Sequence, residues 1–181
     1  MRCYIPGMKI LLCIITLCLI TGMSVQAGNS IEAAGQVLTL VLPAAAAGLT
    51  AGFKDADGAL QLVTSAALTL GITYGLKYTV NETNPNGDSY SFPSTHTSVS
   101  FASAEFMRKR YGWKYGIPAY AAATFVAVSR VESKEHYVHD VLAGAAIGIA
   151  GSYIFTRPYK GWNIQPEVDQ KHYRIRLSRA W

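Results

Sequence analysis

Apolar residues in this chain gather into long runs that are separated by short polar loops. After a leader segment, five such runs cover residues 33–53, 59–78, 95–107, 115–128 and 138–155. Lengths of about 18 to 21 residues fit helices that cross a bilayer, whereas the third run is short and carries Glu105. The pattern predicts an all-α fold, a membrane-associated bundle of five to six helices. A soluble bundle of unusually apolar helices is the alternative.

The first 27 residues differ in character from the rest of the chain. Arg2 and Lys9 precede an apolar stretch at 10–20, and the segment ends in small residues at Ala27. This order is typical of a secretory signal peptide, with cleavage expected after Ala27; the alternative is an uncleaved first membrane helix. All three cysteines lie in this leader. Residues 28–181 therefore have no cysteine for a disulfide, a metal site or a thiol nucleophile.

Charge and periodicity divide the remainder into a helical core, 28–160, and a basic tail, 161–181. In the tail, apolar and polar residues alternate with a period of two, which favours a short β-hairpin that begins at about Trp162. The net charge is +5, and the positive residues collect at 108–114 and in the tail, beside apolar runs. This placement is typical of membrane-flanking charge and argues against nucleic acid as a partner.

The same charges predict a topology. With the N-terminus inside, the third and fifth runs both end inside, where the basic residues follow them, as the positive-inside rule requires. The loops at 81–94 and 130–136 then meet outside. We therefore expect a multi-pass inner-membrane protein with its site facing the periplasm, or alternatively a soluble periplasmic protein.

The two outer loops hold side chains that suit chemistry on a phosphate. His136 and Asp140 are four residues apart, so they share one face of the fifth helix near its start. This spacing suits an imidazole nucleophile that a carboxylate orients and makes more basic. His96 comes from another helix and can protonate a leaving alkoxide, because its imidazole titrates near neutral pH.

Other residues on that side can hold the phosphate itself. Lys77 and Arg130 supply fixed positive charge, and a guanidinium can bind two phosphate oxygens at once. Ser94 and the backbone N–H groups at the start of the third helix can donate to an oxyanion, which the helix dipole also favours. The loops therefore predict a phosphate site.

Three motifs carry a family resemblance: Lys77-x6-Asn-Pro, Pro-Ser-Thr-His96 and Ser-Arg-x5-His136-x3-Asp140. Together they resemble the three-part signature of the type 2 phosphatidic acid phosphatase family, which includes membrane lipid phosphatases and soluble bacterial acid phosphatases. The resemblance implies a helical core, a phosphohistidine at His136 supported by Asp140, and His96 as the acid. It implies that Lys77, Ser94 and Arg130 hold the phosphate, with no metal and no cofactor.

The chain departs from the family pattern at two positions. Asn84 stands where the family has arginine, and it can donate a hydrogen bond but brings no charge. Thr95 replaces the glycine of the second motif; its backbone N–H remains, while its β-branched side chain restricts the backbone. Both changes fall among the residues expected to bind phosphate and leave the two histidines intact.

These observations predict a phosphomonoesterase that acts on a lipid or isoprenyl phosphate, such as phosphatidate, phosphatidylglycerol phosphate or a lipid A phosphate. Membrane lipid is the expected partner, and the sequence leaves the oligomeric state open. Two alternatives remain: a soluble periplasmic acid phosphatase of broad specificity, and a non-catalytic binder of lipid headgroups, which the changes at Asn84 and Thr95 would suit.

Overall fold

The computed structural model describes residues 27–159, 162–169 and 172–179, with side chains for residues 30–159. The leader predicted for residues 1–27 lies outside the described residues, apart from Ala27. Five helices form the described core: α1 (Ala27–Gly52), α2 (Ala56–Val80), α3 (Thr95–Tyr111), α4 (Trp113–Glu132) and α5 (Val138–Phe155). The all-α fold expected from the apolar runs is confirmed.

Local signals set where the helices begin and end. Asp55 caps α2 by accepting the Gly58 N–H at 2.9 Å, and Ser94 caps α3 through the Thr97 N–H at 3.4 Å. Such caps satisfy N–H groups that have no partner within the helix. At the other end of α2, Asn81 adopts a left-handed conformation (φ 46°, ψ 45°), which stops the helix before the polar loop 81–94.

Helix α3 lies at the centre of the bundle and contacts each of the other four helices. Its buried residues are small or polar near its start, as at Ser98 and Ser100, whereas Phe106 and Met107 near its end belong to an apolar core cluster. A Cβ atom on Gly144 would lie 2.6 Å from the Ser94 carbonyl oxygen, so α5 approaches α3 at backbone distance. Close packing of small residues is how helices associate where lipid, not water, surrounds them.

The surface has the opposite character, since many large apolar side chains are exposed. Among those at least 64% exposed are Leu40, Leu60, Val63, Ile117, Leu142 and Ile154. Buried residues, in contrast, include many serines and threonines. Within the described residues, α1, α2 and α5 are long and apolar enough to cross a membrane. The prediction of a membrane-associated bundle is therefore supported.

The connection between α1 and α2 meets the ends of α3 and α5 at one end of the bundle. There Arg110 donates from Nε to Asp55 Oδ2 at 2.7 Å, and from Nη1 to the Arg157 carbonyl at 2.9 Å. Tyr111 adds a hydrogen bond to Asp55 at 2.8 Å. Both charged groups of the Asp55–Arg110 pair are more than nine-tenths buried. This cluster, called the Asp55 cluster below, joins helices that are distant in sequence.

The tail forms strands β1 (Trp162–Asp169) and β2 (His172–Arg179), which pair antiparallel with Trp162 opposite Arg179. The hairpin expected from the alternation in the tail is thus present in the backbone.

Candidate active site

The predicted site residues come together at the end of the bundle opposite the Asp55 cluster. The Ser94 N–H, at the start of α3, donates to the Asp140 carbonyl of α5 at 3.1 Å. Burial and the nearby charges of Arg130, His136 and Lys77 lower the pKa of His96 to about 4, so the expectation that this imidazole titrates near neutral pH is wrong for the free site. Residues that are up to 63 positions apart in the sequence therefore share one site. This agrees with the predicted topology, in which the loops at 81–94 and 130–136 lie on the same side.

His136 and Asp140 form the centre of this site. His136 Nδ1 lies 3.3 Å from Asp140 Oδ2, and the Tyr137 N–H donates to the same oxygen at 3.0 Å. The Asp140 side chain is fully buried, and that of His136 is 11% exposed. Burial lowers the pKa of His136 below its usual value, although the hydrogen bond and charge of Asp140 oppose the shift. The imidazole is therefore neutral near pH 7, as a nucleophile must be.

Lys77 and Arg130 bring positive charge to the same end. Lys77 Nζ donates to the Ser91 carbonyl at 3.2 Å and also to that of Tyr90. Arg130 is 1% exposed, and its Nη2 donates to the Glu32 carbonyl of α1 at 2.7 Å. Within the described residues neither cation lies within 4.0 Å of a carboxylate. Carboxylates act on them only from beyond that distance, Asp140 on Lys77 and Glu32 and Glu135 on Arg130, so both cations can still bind a phosphate.

The start of α3 supplies backbone donors. Ser94 is fully buried, and its Oγ accepts from the Thr97 N–H and, at 3.1 Å, from the Thr97 hydroxyl. Its side chain therefore caps the helix. The N–H groups of Thr95 and His96 belong to the first turn, where no intrahelical acceptor is available. They are suited to an anion at this helix start.

Asn84, which the sequence places among the expected phosphate-binding residues, has its hydrogen bonds within the outer loop. Its Oδ1 accepts the Asp88 N–H at 2.7 Å, and its Nδ2 lies 3.4 Å from Asp88 Oδ2. Further backbone bonds join Asn84 to Asp88 and to Gly87. The hydrogen bonds of Asn84 thus close a turn in the outer loop, which is a structural use for a side chain expected at the phosphate.

Ser91 is a residue of the site that the sequence did not reveal. Its Oγ donates to Asp140 Oδ2 at 2.5 Å and lies 3.2 Å from His136 Nδ1. The only signal in the sequence is its position two residues before the Pro-Ser-Thr-His motif. This position does not indicate that the Ser91 hydroxyl donates to Asp140.

His139 also contacts the buried carboxylate. Its Nε2 lies 2.9 Å from Glu82 Oε1 and 3.2 Å from Asp140 Oδ1. One ligand atom from each of these three residues lies within 4.8 Å of the others, the arrangement in the described residues that could hold a metal ion. His139 hydrogen-bonds Glu82, whereas Asp140 Oδ1 is buried and has no hydrogen-bond partner within the described residues.

The chain is similar to a known protein family and to individual relatives. The PAP2 superfamily model matches residues 58–163. The lipid A 4'-phosphatase of Helicobacter pylori is 29% identical over 170 residues, covering 83% of this chain and 85% of that protein. A lipid A 1-phosphatase of Porphyromonas gingivalis is 34% identical over 97 residues, 49% of this chain and 22% of the relative.

Two crystal structures share the fold. LpxE of Aquifex aeolicus aligns with a TM-score of 0.57 and 19% identity, covering 77% of this chain and 92% of that one. A transmembrane PAP2 type phosphatidylglycerolphosphate phosphatase of Bacillus subtilis aligns with a TM-score of 0.52 and 20% identity, covering 84% and 94%. The family model spans more than half of the chain and includes all three motifs, so this chain belongs to the PAP2 superfamily and is a phosphatase of that type.

Proposed function

We propose that this protein removes a phosphate monoester from a membrane lipid of the lipid A class, through a phosphohistidine at His136, on the periplasmic face of the inner membrane. The observation that carries the proposal is the buried pair of His136 and Asp140 beside His96 and two cations, at one end of a bundle with an apolar exterior.

The reaction has two steps. The bound phosphate offsets the charges of Lys77 and Arg130 that lower the pKa of His96, so His96 can take up a proton in the complex. His136 Nε2 then attacks phosphorus, an N–P bond forms and the P–O bond to the lipid breaks, while His96 gives this proton to the leaving oxygen. Water then attacks phosphorus, His96 takes a proton from it, and the N–P bond breaks to release inorganic phosphate. Lys77 and Arg130 stabilise the negative charge that develops on the phosphoryl oxygens in both steps, together with the N–H groups at the start of α3.

Exposed apolar area favours a lipid substrate over a soluble one. Soluble monomers rarely expose apolar patches larger than a few hundred Å², whereas Leu60, Val63 and Leu142 are each about two-thirds exposed along helices long enough to cross a bilayer. A lipid in the same membrane can reach the helix ends laterally. The soluble acid phosphatase is therefore the weaker alternative.

The relatives favour the lipid A class among lipid phosphates. Proteins named lipid A phosphatases from two organisms match this chain, and the H. pylori protein does so along most of both chains. Lipid A carries phosphate on a sugar, so the leaving group is a sugar hydroxyl or hemiacetal oxygen.

Basic residues at the far end of the bundle favour the periplasmic side for the site. Lys109, Arg110 and Lys114 cluster at the end of α3 and the start of α4, opposite His136. Positive residues are retained on the cytoplasmic side of a membrane. An impermeant maleimide applied to intact spheroplasts should label Asn86→Cys and not Lys114→Cys; the reverse pattern would contradict this orientation.

Phosphate release by the purified protein in detergent tests the activity. The panel comprises lipid A, phosphatidate, phosphatidylglycerol phosphate and the soluble p-nitrophenyl phosphate. We expect release from lipid A above all, and a loss on the order of 10³-fold or more in His136→Ala. His172→Ala, in β2, is the matched control. Equal rates for wild type and His136→Ala would refute the mechanism, and a preference for p-nitrophenyl phosphate would favour the soluble alternative.

A further inference from the structure

Ser91 lies between the two central residues of the site. It is 3% exposed, and its hydroxyl oxygen is 2.5 Å from Asp140 Oδ2 and 3.2 Å from His136 Nδ1. The direct distance from His136 Nδ1 to Asp140 Oδ2 is 3.3 Å, at the long end for an N–H···O hydrogen bond. Ser91 is therefore at least as close to each partner as the partners are to each other.

The number of protons determines the direction of each bond. An ionised carboxylate only accepts, and a serine hydroxyl has one proton to donate. The short contact to Asp140 is typical of an O–H···O⁻ bond, so the Ser91 proton points at Asp140. The remaining lone pairs of Ser91 can only accept, and His136 Nδ1 must then carry a proton. Its Nε2 consequently keeps the lone pair.

We infer that Ser91 is a positioning residue that links Asp140 to the nucleophile. Nδ1–H of His136 donates to Ser91 Oγ, whose own proton is donated to Asp140 Oδ2. The link fixes the tautomer and the ring orientation that leave Nε2 free to attack. Through the Ser91 hydroxyl, the negative charge of Asp140 also stabilises positive charge that develops on the imidazole. This inference rests on the proposed function, because it assigns Ser91 a part in the phosphohistidine reaction.

Ser91 also has contacts through its backbone. Its N–H donates to the Glu82 carbonyl at 2.7 Å, and its carbonyl accepts from Lys77. These bonds hold the outer loop against α2, but they do not involve the hydroxyl. Ser91→Ala removes the hydroxyl and retains them, so its effect reports on the link alone.

The test measures kcat and KM for lipid A phosphate release in Ser91→Ala and Ser91→Thr. Ser100→Ala is the matched control, because Ser100 is also fully buried and its hydroxyl has no hydrogen-bond partner within the described residues. Hydrogen-bond partners that orient metal-bound histidines are worth about 10- to 100-fold in activity, and we take this range for the comparable role of Ser91. We expect kcat to fall by that factor in Ser91→Ala with KM nearly unchanged, Ser91→Thr to recover most of it, and Ser100→Ala to match wild type.

A double-mutant cycle with Asp140→Asn separates the link from a loop effect. If Ser91 acts through Asp140, Ser91→Ala should cost much less in the Asp140→Asn background than in wild type. The inference would be overturned if the fold-losses in kcat of the two single variants multiply in the double variant, or if Ser91→Ala has the kcat of wild type. The His136→Ala control distinguishes the two proposals: a wild type no faster than His136→Ala refutes the proposed function, whereas a His136-dependent wild type matched by Ser91→Ala refutes only the link.

Discussion

Replacing Gly35 with alanine should loosen the packing of α1 on α4 and displace Arg130 with it. A Cβ atom at Gly35 would overlap Ser129 Oγ, and would lie 2.7 Å from Ser129 Cβ and 3.1 Å from Arg130 Nη2. Carbon atoms in contact normally lie about 3.5–4.0 Å apart. The two helices must therefore separate by about 1 Å to accept the methyl group.

The cost follows from that displacement. Overpacking of a tight contact costs about 1–3 kcal/mol of stability. The bond from Arg130 Nη2 to the Glu32 carbonyl, now 2.7 Å, would lengthen to about 3.7 Å if the whole shift fell along it, beyond the hydrogen-bond range. Since a misplacement of about 1 Å in a reactive site can cost on the order of 100-fold in rate, we expect activity to fall with stability.

Gly48 offers a matched control in the same helix, because a Cβ atom there would meet nothing within 4 Å. Gly48→Ala should be neutral or stabilise the protein by up to about 1 kcal/mol, since alanine restricts the unfolded chain. Unfolding in detergent and phosphate release would be measured for both variants. Equal stability of the two variants, or a Gly35→Ala protein with wild-type activity, would refute the packing argument.

Three further outcomes follow from the buried charges and from the nucleophile. Asp55→Asn should destabilise the protein by about 3–5 kcal/mol, because it leaves Arg110 buried without its carboxylate, whereas the exposed Asp57→Asn should change the free energy of unfolding by less than about 0.5 kcal/mol. Because burial lowers the pKa of His136, the neutral nucleophile persists below pH 6.5, and the loss of kcat/KM on the acid side of the pH profile should lie below that pH; an acid-side loss centred at or above pH 6.5 would contradict this. Arg130→Lys keeps the charge but loses the fork that reaches the Glu32 carbonyl, so kcat/KM should fall about 10²–10³-fold, and a loss smaller than about 3-fold would assign Arg130 a mainly electrostatic role.

Much of the helical core could be predicted from apolar runs and caps. The third apolar run ends at about Met107 and three basic residues follow it, yet α3 continues through them to Tyr111. Arg108 bonds Glu105 from within the same helix, and Arg110 bonds Asp55 from another element. The Arg108–Glu105 ion pair could be predicted from the spacing of three residues within one helix. The Arg110–Asp55 pair could not, because only the tertiary structure brings its two residues together.

The candidate site, too, could be predicted from the sequence only in part. The four-residue spacing predicted that His136 and Asp140 share a face of the fifth helix, which is wrong for His136, because α5 begins at Val138 and His136 lies in the turn before it. The two side chains still meet, and topology predicted His96 beside them. The roles of Ser91 and Asn84 depend on the path of the outer loop. A loop sequence does not encode which hydroxyl reaches a carboxylate 49 residues away, nor that an amide bonds its own turn at Asp88.

The hydrogen bond from the Ser94 N–H to the Asp140 carbonyl joins the two halves of the site through main-chain atoms alone. Ordinary side-chain replacement at either position leaves it intact, so a library of single substitutions would overlook it. Proline at position 94 is the exception, because it lacks the N–H, while the local φ of −69° already suits it. Intolerance of proline there, in excess of the intolerance of alanine, would be the genetic signature of this bond.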